Sequence, residues 1–198
     1  MAYNTFTLNQ LRKEFGLVIA RQQDLFTSVP PAPISDFLRL SLTKHTDVAL
    51  RSRSEKARSE YIIAPILAEI YEQMQDRANL FSGVEFKVDE SRGLAGYCDF
   101  LFTLAPLAID IQAPVVSIVE AKKEDIVAGI PQCLAELVAA QIFNAAEEYK
   151  LETLYGIVTS GTEWKFLRLE GKDAAIDDDV YFLDNIEKIV GIALSMLR

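Results

Sequence analysis

Gly96-Tyr-Cys-Asp-Phe-Leu-Phe-Thr-Leu104 and Val115-Val-Ser-Ile-Val-Glu-Ala-Lys-Lys123 decide the reading of this chain. Both are dominated by β-branched and aromatic residues and read as strands. The connection between them holds Pro106 and Pro114 and leaves the sheet, so the two strands form an antiparallel pair. Val115, Val116, Ile118 and Val119 make an almost continuous apolar run, the pattern of a central strand covered on both faces. The run ends in Glu120-Ala-Lys122. Side chains alternate along a strand, which puts Glu120 and Lys122 on one side and Ala121 on the other. Asp99 interrupts the first strand, where an ionised carboxylate is costly unless it is paired, hydrogen-bonded or metal-bound. A carboxylate on each of two paired strands can hold a hard divalent cation. A lysine two residues beyond the second can steer a water and offset charge on a phosphate.

Working outward, Val84-Glu-Phe-Lys-Val88 alternates as a half-exposed strand after a turn at Phe81-Ser-Gly83, and Asp89–Gly93 is its hairpin loop. Upstream, Thr46 or Ser54 begins a long helix to about Asn79, with Ile62, Ile63, Ile66, Leu67, Ile70 and Met74 at helical spacing and a kink or break near Pro65. Downstream, Pro131 reads as a first-turn proline of an Ala- and Leu-rich helix reaching about Lys150. On it Gln132 and Glu136 share one face. Thr153–Thr159 and Trp164–Leu169 form a further hairpin, with Trp164 a core residue rather than a stacking platform.

These residues carry a resemblance. Asp99 followed by Glu120-Ala-Lys122 resembles the PD-(D/E)xK nuclease superfamily, with the restriction-endonuclease-like fold. Arg58-Ser-Glu-Tyr-Ile-Ile-Ala-Pro65 and Thr159-Ser-Gly-Thr-Glu-Trp164 look most like the N-terminal domain of the type I restriction enzyme's restriction subunit. The likeness spans roughly Ser54 to Glu170, with Cys98 where the family motif has proline. It implies that Asp99 and Glu120, with the Ala121 carbonyl, hold Mg²⁺ or Mn²⁺, and that Lys122 positions the attacking water. It also implies that Glu60, on the first core helix, reaches the metal and that Gln132 contacts the site or the substrate backbone. Plainer readings stand beside these: Glu60 as a solvated helix residue with Glu69 its competitor, and Gln132 as a polar residue of a first helical turn. Lys123 should face away.

The expected fold is α/β, a mixed central sheet of about five or six strands flanked by helices, with an extra N-terminal helical segment. We read residues 1–198 as one domain: an appendage over 1–45, a nuclease-like core over 46–170 and a closing strand and helix over 171–198. In the appendage, Thr7 and Gln10 form a capping box for a helix whose stripe is Leu8, Leu11, Phe15, Val18 and Ile19, and a short helix covers Phe37–Leu42. Asp177-Asp-Asp179 reads as a solvent loop. The helix of Ile186, Ile189, Val190, Ile192, Ala193 and Leu194 has a broad apolar face suited to a homodimer contact.

The chain has 198 residues, half of them hydrophobic and a quarter charged, as in a soluble globular protein. No apolar run reads as membrane-spanning and no signal peptide is visible, so a cytoplasmic protein with reduced Cys98 and Cys133 is expected. One histidine, His45, and two cysteines argue against structural zinc. Gly-x-Ser-x-Gly, P-loop and Gly-x-Gly-x-x-Gly signatures are absent. A glycosidase pair of Asp99 and Glu120 is a distant third reading, since it leaves Lys122 unexplained. The net charge of −9 opposes nucleic-acid binding, but it is uneven. Residues 1–60 hold nine Lys/Arg against six Asp/Glu, and the remainder eleven against twenty-three. The expected function is metal-dependent hydrolysis of nucleic acid, with DNA the first expectation. The alternative is a catalytically silent nuclease-like fold that binds or assembles with a partner protein.

Overall fold

The computed structural model describes residues 2–198. An eight-stranded mixed sheet runs through the chain, with helices packed on both faces. Helix α1 (Leu8–Phe15) starts at the expected capping box, with Thr7 and Gln10 bonded reciprocally. It stops earlier than its apolar stripe suggested. The chain leaves the helix at Gly16, Leu17 turns into the core, and Val18 and Ile19 belong to strand β1 (Val18–Gln22). β-Branched neighbours favour extended backbone once the helix is interrupted.

Helix α2 (Asp36–Ser52) is far longer than the short helix expected over Phe37–Leu42. Its N-cap is Ser35, whose backbone N–H and hydroxyl also donate to the carboxylate of Glu69. Arg53 ends it, and Ser54 caps α3 (Glu55–Arg58). A π turn over Ser59–Ile63 leads into α4 (Ala64–Met74). Pro65 is the second residue of α4, so the break expected near it is this wide turn, which needs no α-helical N–H from the proline.

Strand β2 (Asn79–Asp89) begins earlier than expected: Phe81 and Ser82 pair with Leu101 and Phe100 of β3 (Leu94–Thr103) instead of forming a turn. The turn-like composition reflects Gly83, which has φ +62° within the strand, between the Ser82–Phe100 and Val84–Cys98 pairs. Only glycine adopts that conformation without strain. Strand β4 (Val115–Ala121) is buried along its whole length and pairs antiparallel with β3, as its apolar run indicated. Helix α5 (Ile126–Ala146) starts before Pro131. Asp125 caps it by accepting from the N–H groups of Val127 and Ala128, which leaves the proline inside the helix. By length and composition α5 could cross a membrane, contrary to the sequence reading; here it packs on the sheet.

Strand β5 (Thr153–Thr159) lies parallel to β4 and forms the expected hairpin with β6 (Glu163–Glu170). Strand β7 (Asp173–Asp177) follows, so Asp177 is a fully buried strand end and not a solvated loop residue. Its carboxylate accepts from the Asp179 N–H and the Tyr181 hydroxyl. The short β8 (Tyr181–Phe182) pairs with β6. The sheet order is β1-β7-β6-β5-β4-β3-β2, with β1/β7 and β4/β5 parallel and the other pairs antiparallel. Helix α6 (Ile186–Ser195) buries its apolar residues within the chain, against α4 and the sheet, so that face is not available for the dimer contact its pattern suggested.

Two cores result. One lies between the sheet and α2, α4 and α6, and contains Trp164, Phe166, Val119 and Ala121. The other lies between the sheet and α1 and α5, and contains Leu101, Ile118, Leu134 and Leu137. Trp164 is fully buried, and its indole N–H donates to the Gly161 carbonyl at 3.0 Å. The N-terminal segment is thus part of the fold: it adds an edge strand and a second helical layer.

Candidate active site

The β3/β4 register sets Phe100 opposite Val119. One residue further, Asp99 Oδ2 accepts from the Ala121 N–H at 2.8 Å, which fixes the carboxylate at the end of β4. Glu120 and Lys122 project to the α5 side, while Ala121 packs into the opposite core. Lys122 Nζ donates to Glu120 Oε1 and, at 3.2 Å, to Gln132 Oε1. Gln132 Nε2 donates in turn to Glu136 Oε1 at 3.2 Å. Asp99, Glu120, Lys122 and Gln132 face an open pocket of about 430 Å³, lined also by Glu55, Gly96, Tyr97 and the N-terminal Ala2, Tyr3 and Asn4. Gly129 leaves room for the lysine stem. A Cβ there would lie 3.0 Å from Lys122 Cε and 2.6 Å from Val158 Cγ1.

The sequence-derived set is brought together only in part. Asp99, Glu120, Lys122 and Gln132 converge. Ala121 contributes its N–H to Asp99, and its side chain is elsewhere. Glu60 is not at the site: it sits on the outer side of the π turn, half exposed, bridged to Lys56 at 2.9 Å. Its neighbours Ile62 and Ile63 take the inward positions. Glu69, its competitor, is committed to Ser35 and Gln73. Lys123 is exposed beside Glu124, as expected.

Glu55 and Glu136 were missed. Glu55 is exposed at the start of α3 and is separated from the buried stripe of α4 by the π turn, so helical spacing carried no signal for it. Glu136 was seen only as sharing a face with Gln132. Its position one helical turn along a nearly wholly apolar helix marks it as inward-facing, and it is completely buried.

Electrostatically the site is under-neutralised. Burial pushes the Glu120 carboxyl up to about 8, with the charge of Asp99 adding and Lys122 opposing. Burial likewise raises Asp99, against the Ala121 N–H and Lys122. Glu136 is raised well above the carboxylate range by burial and then by Glu120. Burial lowers Lys122, but Glu120 more than offsets it, so the ammonium keeps its proton. Glu120 Oε2 and Glu136 Oε2 are buried without a hydrogen-bond partner. Buried oxygens left unpaired beside a second carboxylate are stabilised by a cation.

The donor set fits such a cation. Asp99 and Glu120 offer hard oxygens, and magnesium commonly takes one or two carboxylates and completes its shell with water and substrate phosphates. Among the described residues no group of three or more His, Cys, Asp or Glu side chains is arranged to hold a metal, so a cation here would rest on these two carboxylates. No family model, curated protein or solved structure matches the chain.

Proposed function

We propose that the chain is a metal-dependent nuclease that hydrolyses phosphodiester bonds, DNA first among its substrates, in the pocket of Asp99, Glu120 and Lys122. The observation that carries this reading is the convergence, at one open pocket, of two partly desolvated carboxylates and a lysine that bonds Glu120 and Gln132. Asp99 and Glu120 would hold Mg²⁺ or Mn²⁺. The bound ion would supply Lewis-acid activation of water and charge neutralisation at the phosphate. Lys122 presents a fixed positive charge to a phosphate oxygen, and Gln132 orients it through the 3.2 Å bond. Glu136 holds the Gln132 amide so that its oxygen, not its nitrogen, meets the lysine. Glu55, not Glu60, is the helix glutamate that lines the pocket.

A second reading, a silent nuclease-like fold serving a partner protein, is favoured by the lack, among the described residues, of a third arranged metal ligand. The test is calorimetric Mn²⁺ titration of the wild type and Asp99→Ala in the presence of a phosphorothioate duplex. Binding that disappears in Asp99→Ala supports the nuclease. No specific binding in either protein favours the silent fold.

A further inference from the structure

A second cavity lies away from the carboxylates. It measures about 490 Å³, shares no lining residue with the candidate active site, and sits between α1, β1, the first turns of α5 and the end of β7. Its walls are mainly apolar: Leu8, Ile19, Val127, Ile130, Ile176 and Val180. That size and lining are typical of a small-molecule site. Val127 is exposed, an aliphatic side chain left at the rim with nothing over it.

The polar groups of this cavity are cationic. Arg12, Arg21 and Lys165 line it, with Asp178 the one carboxylate. Asp178 is engaged by Arg21 at 2.5 Å. Arg12 forms no ion pair among the described residues. Lys165 is buried at 5% exposure, yet its ammonium meets no carboxylate. It donates only to the backbone carbonyls of Asp178 and Asp179, each at 3.2 Å. The adjacent Asp177 carboxylate is taken by Tyr181 and the Asp179 N–H. Burial, and then Arg21, lower the Lys165 ammonium from its usual value, against the opposing charges of Asp177, Asp178 and Asp179. A buried ammonium with only carbonyl partners is incompletely compensated, and an anion at the cavity would complete it. In a chain of net charge −9 the lining of this apolar chamber carries three cations against one carboxylate.

We infer that this cavity binds a small amphiphilic anion, an acidic head group against Lys165 and Arg12 with an apolar body along Ile19, Ile130 and Ile176. The shared chemistry is a carboxylate or sulfonate on a hydrocarbon or aromatic body. The inference is independent of the nuclease reading, and its test involves no cleavage.

Decanoate, decanol and decyltrimethylammonium are titrated below their micelle concentrations into the full chain, with amide chemical shifts as readout. Decanoate should shift residues of β1, β7 and the first turn of α5, and should bind at least about tenfold more tightly than either control. Ala20→Phe, an exposed cavity-lining position, should abolish the shifts by filling the chamber. Arg12→Glu should weaken decanoate by about tenfold and leave decanol unchanged. Lys165→Met should do the same if it folds; the two exposed-site variants decide the question if it does not. Equal binding of decanol and decanoate, or decanoate shifts that survive Ala20→Phe, would overturn the assignment.

Discussion

Replacing Glu136 by methionine should stabilise the protein while disordering the candidate site. Glu136 is completely buried on α5, one carboxylate oxygen bonds Gln132, and the other has no partner. Methionine has nearly the same volume and no desolvation cost. Substitutions of buried charged groups by well-packed apolar ones are often neutral to stabilising by about 1–4 kcal/mol. For a chain of this size each kcal/mol moves Tm by about 2–4 °C. The pH dependence gives a sharper criterion. Burial raises the folded-state Glu136 carboxyl, so the folded protein holds a proton that the unfolded chain releases above about pH 4.3. The penalty is absent below that pH and grows as pH rises, by about 1.4 kcal/mol per unit while the folded group stays protonated. Glu120, raised to about 8, acts in the same direction. The assay is urea unfolding of both proteins in EDTA at pH 5 and pH 8. Comparing wild type with variant cancels the distant titrations. The variant should be the more stable at pH 8, with a smaller advantage at pH 5. A variant less stable at pH 8, or an advantage independent of pH, would refute the account of Glu136 as a buried carboxyl held for its bond to Gln132.

Three further outcomes are expected. Lys122→Ala should abolish Mn²⁺-dependent cleavage of duplex DNA while exposed Lys123→Ala should not, and retained activity in both would remove the assignment of Lys122. Gly129→Ala sets a helix-propensity gain of about 1 kcal/mol against a Cβ placed 2.6 Å from buried Val158, where overpacking costs about 1–3 kcal/mol. It should therefore be neutral to destabilising in urea unfolding and should displace Lys122, lowering kcat; a clear gain in stability would show the close approach to be unimportant. For Glu69, burial opposes and the bonds from Ser35 and Gln73 outweigh it, so its carboxyl is held below the usual value. Its contribution is present at neutral pH and is lost as pH falls through that lowered value. Glu69→Gln should cost about 1–3 kcal/mol at pH 7 and little once the wild-type carboxyl is protonated, measured by urea unfolding across pH.

The central elements were legible because burial writes itself into composition. β4 could be recognised as a two-sided central strand from Val115 to Val119, and its last residues as a site, because a carboxylate at the end of such a run needs a reason. The edges of the fold were not legible in the same way. Val18 and Ile19 fit the α1 stripe as well as they fit β1, and what separates them is the chain reversal at Gly16 and the parallel pairing to β7, a contact more than 150 residues away. Phe81-Ser-Gly83 carried turn composition because one residue there needs a left-handed backbone inside a strand.

The same distinction explains the error at Glu60. Helical periodicity places a residue on a face, but the π turn over Ser59–Ile63 changes the phase between α3 and α4. Motif spacing anchored to Pro65 therefore pointed at the outer residue. Glu55, at the start of α3, lines the pocket instead, and no helical count across the π turn points to it. Glu136 needed a different kind of argument. An acid inside an apolar helix is costly, so its presence indicates a polar group that it must hold, and Gln132, one turn before it and bonded to Lys122, is that group. The chain Glu120–Lys122–Gln132–Glu136 thus joins the end of a central strand to the helix that covers it. It places the least stable groups of the core where they fix one lysine. A site of this form trades folding stability for side-chain order, which is why the Glu136 substitution should separate the two.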